Sequence, residues 1–518
     1  MAAETNVQRK QARAGMVMAA ATFAMAAASG LQAAFYLHSY GIDGRTDGFF
    51  VAFALYTVFG VFSQSIRVTS APLLVDKARA LPLREFAATL GLIALPVALL
   101  TIPLAHPLAL LLAPGLSDAD RAVTQEALPI LGGAMILQLW AAGGATVLAV
   151  RDRFNAVAGA YIAGAVAGLA TYVAVSGSAG ELSLGYSMLA MAAVTCTLML
   201  LGLRGGAPEA SPSPRPLRFG RLIADAGLIL GRTSIYLAFN ALYLITLAFT
   251  TSFSPGDATV LSYAYLFASY LVAGTAFALG MSRIADMSRK AGADARAAFG
   301  DTVPQGFRYS MLICAPAMAG FVAAGASIVG AVFSASLSPG DVRTLQEFGA
   351  LLSIWTIAAL VVNLLLPAMF ALGQARLTNL LAPVLLAVHI AASAAGGALF
   401  GSLGVVGAAF VAPSLFAGAM LVKGAPQIAS HLAREIGRDT LRFVLAAASC
   451  FGLGAALGTA LGSDLGAALV AGGIGAALYV ALLPFIAPAQ VDLVLRSLRP
   501  RLRARPARPR AGFSPQGP

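Results

Sequence analysis

Charge is scarce in this chain. Only 11% of its 518 residues are Asp, Glu, Lys or Arg, against about 25% in an ordinary soluble domain. That shortage excludes a string of water-facing domains, since there is too little polar surface to cover several cores. Cysteine is nearly absent: Cys196, Cys314 and Cys450 each fall in an apolar run, at spacings that fit no metal site, and read as small core residues. No hydrolase, kinase, metal or nucleotide motif is present. The Gly-rich stretches at 452–458 and 472–477 follow no strand pattern and lack the Lys of a phosphate loop. They read as small-residue faces where helices pack. What the chain does have is apolar residues, 59% of the total, with a mean hydropathy of +0.82.

Those residues are grouped in runs long enough to cross a bilayer as helix, separated by short charged connectors. Fourteen spans are expected, roughly 15–37, 48–75, 86–112, 123–148, 154–175, 182–203, 222–251, 258–282, 303–333, 344–372, 376–400, 404–423, 441–461 and 465–487. The fold class is an all-α polytopic membrane protein. The first run continues to about Leu37, so it reads as a span and not as a removable leader. The expected layout is a cytoplasmic N-terminus (1–14), a first lobe (15–203), a linker (204–221), a second lobe (222–423), a cytoplasmic loop (424–440), two further helices (441–487) and a tail (488–518).

Lys and Arg outnumber Asp and Glu by 34 to 22, and their distribution reports topology. With both termini in the cytoplasm, 28 of the 34 fall on the cytoplasmic side, and only Arg45, Arg121 and Arg343 fall outside. This obeys the positive-inside rule. The Arg- and Pro-rich tail is expected to lie against anionic phospholipids, not nucleic acid. The linker, rich in Pro, Ser and Gly, reads as flexible.

The chain also repeats itself. Leu116, Ser117, Asp120, Gln125 and Glu126 recur as Leu337, Ser338, Asp341, Gln346 and Glu347, every pair at the same offset of 221. An offset of six spans gives two six-helix bundles of the same orientation, a parallel repeat, with two C-terminal helices outside it. Two such bundles around a midplane cavity can rock to expose it to each side in turn, as in transporters.

Ionisable residues inside spans are costly and therefore informative. Arg67, Arg232 and Arg308 are the three cations in the spans, and no carboxylate is expected at similar depth, although Asp225 stands one heptad before Arg232. Arg67 and Arg232 lie about 12 to 15 Å from the nearer interface at 1.5 Å per residue, beyond easy snorkelling. Such guanidinium groups suit a phosphate or diphosphate headgroup. Gln64, Gln138, Asn240 and Asn363 are candidate cavity-lining residues or interhelical hydrogen-bond partners. His389 and His106 have no second ligand at helical spacing and read as packed or hydrogen-bonded. Asp47 opens the second span, as a gate or coupling group or as a helix N-cap. No cofactor is implied, and neither a coupling ion nor the use of membrane potential is specified.

Three stretches carry a resemblance. TDGFFVAFALYTVFGVFSQ (Thr46 to Gln64), Arg153-Phe154 and AMFALGQAR (Ala368 to Arg376) resemble signatures of the MurJ/MviN-type lipid II flippases. The resemblance implies the multidrug/oligosaccharidyl-lipid/polysaccharide exporter superfamily. It also implies a flippase moving an undecaprenyl-diphosphate-linked saccharide between leaflets, in company with cell-envelope synthesis enzymes. Several family arginines are missing: Ala28 to His38 has none, the pair after the family's FFVAF run is absent, and Leu266 stands where the family has Arg. Arg67 and Arg232 would then hold the diphosphate from other positions, with Arg308, Gln64 and Asn240 beside them. A drug or cation antiporter of the same fold would need a midspan acid, and none is apparent. A non-transporting scaffold or regulator of envelope synthesis is the remaining alternative.

Overall fold

The computed structural model describes residues 28–75, 82–151, 153–204, 218–277, 279, 292–333, 336–371, 374–461 and 465–490. Among them no strand occurs, as the lack of any period-2 pattern requires. The first bundle contains α1 (28–40), α2 (Gly44–Val75), α3 (Leu83–Thr101), α4 (Ala105–Leu112), α5 (Asp118–Val150), α6 (Phe154–Val175) and α7 (Ser183–Arg204). The second contains α8 (Phe219–Thr250), α9 (Asp257–Val272), α10 (Gly292–Gly320), α11 (Ala326–Val332), α12 (Pro339–Ala371), α13 (Ala375–Ala408) and α14 (Val411–Gly424). Then come α15 (Pro426–Leu461) and α16 (Leu465–Ile486). Twelve helices among the described residues are long and apolar enough to span a membrane, with Val411–Lys423 a shorter apolar one. With the helix over 28–40, this accommodates about fourteen spans in a multi-pass membrane protein.

The repeat is visible as local chemistry. Ser117 Oγ accepts from Asp120 N at 3.2 Å and donates to the Asp120 carboxylate at 2.7 Å. In the second bundle Ser338 Oγ accepts from Asp341 N at 3.2 Å, and Ser338 N donates to Asp341 Oδ2 at 2.8 Å. Each pair satisfies N–H groups that a helix start leaves orphaned. The two helices so begun, α5 and α12, are both 33 residues long and are among the more buried spans of their bundles.

Three segments differ from the expected boundaries. The run at 86–112 is broken at Ile102 to Leu104 into α3 and α4. Residues 424–440, expected as a loop, are largely helical and continuous with the next span, giving the 36-residue α15. Its buried Leu432, Ile436 and Phe443 recur at helical spacing, so one face packs even where the other is charged. The turn between the eleventh and twelfth spans is a single residue, Gly401, at φ 63° and ψ −146°, a conformation closed to side chains with a Cβ. Beside it the two arms cross so closely that a Cβ on Gly404 would stand 1.9 Å from Gly396 O.

The bundles meet along a seam in which α2 packs on α8 and α9, and α3 packs on α8. The helices α15 and α16 pack on each other and on α10, outside that seam.

Candidate functional site

The seam is built from α2. Near its start Phe49, Phe50, Val51, Ala52 and Ala54 are fully buried, an unusual run for one helix because neighbours cover it on all sides. Phe50 meets Tyr263 of α9 edge to face at 5.2 Å, and the Tyr263 hydroxyl donates to Ala33 O of α1 at 3.0 Å. Leu266, where a family arginine was expected, is likewise buried. An apolar core residue therefore fills this position. The TDGFFVAF stretch is in physical terms the surface by which one bundle recognises the other.

Asp47 closes this end. Its own helix is started by a reciprocal pair, Thr46 N donating to Asp43 Oδ1 at 2.8 Å and Asp43 N donating to Thr46 Oγ1 at 2.9 Å. Asp47 is thereby released to cap a different helix. Its Oδ2 accepts from Gly256 N at 2.6 Å, and its Oδ1 accepts from Thr259 N at 2.7 Å and from Thr259 Oγ1 at 2.6 Å. A fully buried carboxylate of the first bundle thus sits at the positive N-terminal end of α9 in the second. Gly256 makes the approach possible: at φ 94° it lacks a Cβ that would stand 2.5 Å from Ile42 Cγ2.

The other end of the seam is apolar, then ionic. Phe62 and Ile66 of α2, Phe86 and Leu90 of α3, and Ala226 and Ile229 of α8 belong to one buried cluster. Beyond it Arg221 Nη1 of α8 lies 3.4 Å from Glu85 Oε1 of α3, a carboxylate only 4% exposed. The Asp225 Oδ2 atom beside them has no hydrogen-bond partner among the described residues. The seam is therefore packed at both ends.

Arg67 lies on α2 and Arg232 on α8, the two helices facing each other across the seam, and their side chains fall outside the described residues. Gln64 is half-buried three residues before Arg67, on the same side of α2. Asn240 is half-buried two turns beyond Arg232, with Nδ2 donating to Tyr236 O at 2.8 Å, and Asn363 makes the same kind of bond to Ala359 O at 2.9 Å. The Gln138 Oε1 atom is buried without a hydrogen-bond partner among the described residues.

Arg308 corrects an expectation. Its Nε donates to Asp439 Oδ2 at 2.6 Å, and its Nη2 lies 3.6 Å from Glu435 Oε1. A carboxylate does sit at its depth, because α15 extends through the expected loop and returns these acids against α10. Sequence spacing could not bring residues 131 apart together. His106 meets Gln125 Oε1 at 3.1 Å, and His389 is hydrogen-bonded in the core of the second bundle. No group of His, Cys, Asp and Glu able to hold a metal occurs among the described residues. The reciprocal Asp43–Thr46 pair was missed at the sequence level, although its spacing of three before an apolar run is a recognisable signal.

The fold has close structural parallels. It is similar to the lipid II flippase MurJ in an inward closed conformation, with a TM-score of 0.70 at 14% identity, covering 92% of this chain and all of that one. It is also similar to the inward-facing conformation of a multidrug resistance MATE transporter of the MOP superfamily, with a TM-score of 0.60 at 13% identity over 79% and 96% of the two chains. A third similar structure is a MOP superfamily transporter from Pyrococcus furiosus whose binding pocket has reversed polarity, with a TM-score of 0.54 at 12% identity over 81% and 96%. No curated protein matches in sequence. The family described as lipid II flippase MurJ matches over residues 73–463, three quarters of the length. Two bundles, a seam built on the TDGFFVAF helix and this match lead to one conclusion: the chain belongs to the MurJ lipid II flippase family.

Proposed function

We propose that the protein is an alternating-access flippase. It carries an undecaprenyl-diphosphate-linked saccharide, lipid II or another cell-envelope precursor, from the inner to the outer leaflet of a bacterial inner membrane. The observation that carries this reading is the seam: two bundles of parallel repeat joined through α2, α8 and α9, with one buried carboxylate bridging them and a cation on each of the two facing helices. In this reading both termini are cytoplasmic, Asp47 gates the outer end, and Glu85 with Arg221 marks the inner one.

Arg67 and Arg232 would hold the diphosphate, since guanidinium pairs with phosphate oxygens bidentately and keeps its charge at any physiological pH. Gln64 and Asn240 would line the path beside them. Opening the inner end would hydrate the cavity and admit the headgroup, and breaking the Asp47 cap would release it outside. The lipid tail would stay in the bilayer throughout. Arg308, satisfied by two carboxylates, serves the docking of α15 in this scheme and not the substrate.

The test is leaflet translocation in a conditional depletion strain with an outside-only probe, scoring lipid II and bulk precursors separately. Depletion is expected to strand a precursor on the inner leaflet, and Arg67→Ala with Arg232→Ala to do the same at normal abundance. Unchanged translocation of every lipid-linked saccharide would overturn the reading. Intact transport in the double variant would remove the arginines from it.

A further inference from the structure

The second bundle holds a titratable group that the transport scheme above does not use. His389 lies midway along α13, is fully buried, and lines a cavity of about 10 Å³ with Thr246 of α8, Tyr265 of α9 and Trp355 of α12. That is about the space one water needs. His389 Nε2 lies 2.9 Å from Leu242 O and 2.9 Å from Thr246 Oγ1. A carbonyl only accepts, so Nε2 carries the proton and Nδ1 is a bare lone pair. Nδ1 has no partner among the described residues, and neither has Ser393 Oγ, one turn along the same helix. Two orphaned polar atoms in a membrane core are costly and call for an occupant. The other titratable groups lining the cavity are the phenols of Tyr243 and Tyr265, and the Tyr243 hydroxyl is already spent on Ser262 Oγ at 2.8 Å. No carboxylate, Lys or Arg lines it.

We propose that His389 is a proton-binding site of the second bundle, and that binding a proton at Nδ1 loosens the contact between α8 and α13. A proton there turns an acceptor into a donor and places a positive charge where no anion faces it. The proton-bound form therefore belongs to an arrangement in which water reaches the ring. Because Nε2 is anchored to α8 through Leu242 O and Thr246 and the cavity has room for only about one water, admitting the several waters that hydrate a cation means moving α13 away from α8. Proton binding and helix separation are then linked, each favouring the other. Histidine suits this role because its ordinary titration falls between pH 5 and 8. The identity of the transported saccharide does not enter the argument.

The chain supplies its own reporter. It has two tryptophans, Trp140 and Trp355, and Trp355 shares the cavity with His389. In the full chain carrying Trp140→Phe in lipid nanodiscs, imidazolium formation should quench Trp355 emission in a one-proton titration as the pH is lowered from about 8. Quenching by acrylamide, a neutral water-soluble probe, should grow over the same range as water gains access. His389→Gln keeps a donor for Leu242 O and should abolish both changes; His389→Asn serves if it does not fold. A parent emission that does not titrate, or the same titration in the variant, would overturn the proton site. An acrylamide response unchanged by pH would overturn the loosening.

Discussion

Replacing Asp47 by Ala should unlatch one end of the seam without harming either bundle. Three hydrogen bonds cross from α9 to this carboxylate, two of them from the backbone N–H groups of Gly256 and Thr259. Both residues sit where water does not reach while the seam is closed. A buried donor left unsatisfied costs about 1 to 3 kcal/mol, and two such donors give about 2 to 6 kcal/mol against the closed seam. In the opened form that the proposed cycle requires, the same groups would be hydrated, so the cost would act on one conformation only. At about 1.4 kcal/mol per factor of ten, the closed population should fall roughly 30-fold to about 20,000-fold relative to the opened one. The assay is a distance distribution between spin labels at the exposed Ser178 and Ser254, one in each bundle, in protein whose three native cysteines have been replaced. Asp43→Ala is the control, since Asp43 caps only its own helix and should cost about 1 kcal/mol locally. An unchanged distribution in Asp47→Ala, in protein of normal abundance, would refute the argument.

Other perturbations separate the remaining contacts. Arg308→Ala should destabilise the protein by about 2 to 3 kcal/mol by stranding Asp439, which is 4% exposed; thermal unfolding of the single and double variants with Asp439→Asn would show it, and equal destabilisation by both singles without coupling would count against it. Gly404→Val should abolish accumulation of folded protein because no room exists beside Gly396 O, whereas Gly418→Val, with open space around it, should be neutral in the same expression assay. The Arg221–Glu85 pair is partly exposed and should contribute only about 0.2 to 1 kcal/mol in a double-mutant cycle with Glu85→Gln.

The parts of the fold that could be read from residue order are those governed by neighbours in the chain. Apolar runs announced the spans, and the Ser117 and Ser338 repeats announced the equivalent starts of α5 and α12 because a cap needs only residues three apart. Asp47 shows where such reading ends. Its position at the start of a helix suggested a cap or a gate, yet the helix it caps begins more than 200 residues away, and nothing local specifies that partner. Arg308 shows the same limit in the opposite direction: no carboxylate was expected at its depth, because its acids lie in a segment whose charge resembles a loop. His389 could be named as a packed histidine, but the orphaned Nδ1 and the neighbouring Ser393 depend on how α8 and α13 approach.

Closure at both ends of α2 also bears on the energy of the cell. A membrane potential of 100 mV is worth about 2.3 kcal/mol for each charge that crosses, and a path open to both faces at once would dissipate it. With aromatic packing and the Asp47 cap at one end, and the Phe62 and Ile66 cluster at the other, exchange between the two sides in the proposed cycle would pass through a state closed at both ends. In the proposed flippase cycle the seam would work as an airlock, letting a bulky polar cargo change compartments while the battery across the membrane stays charged.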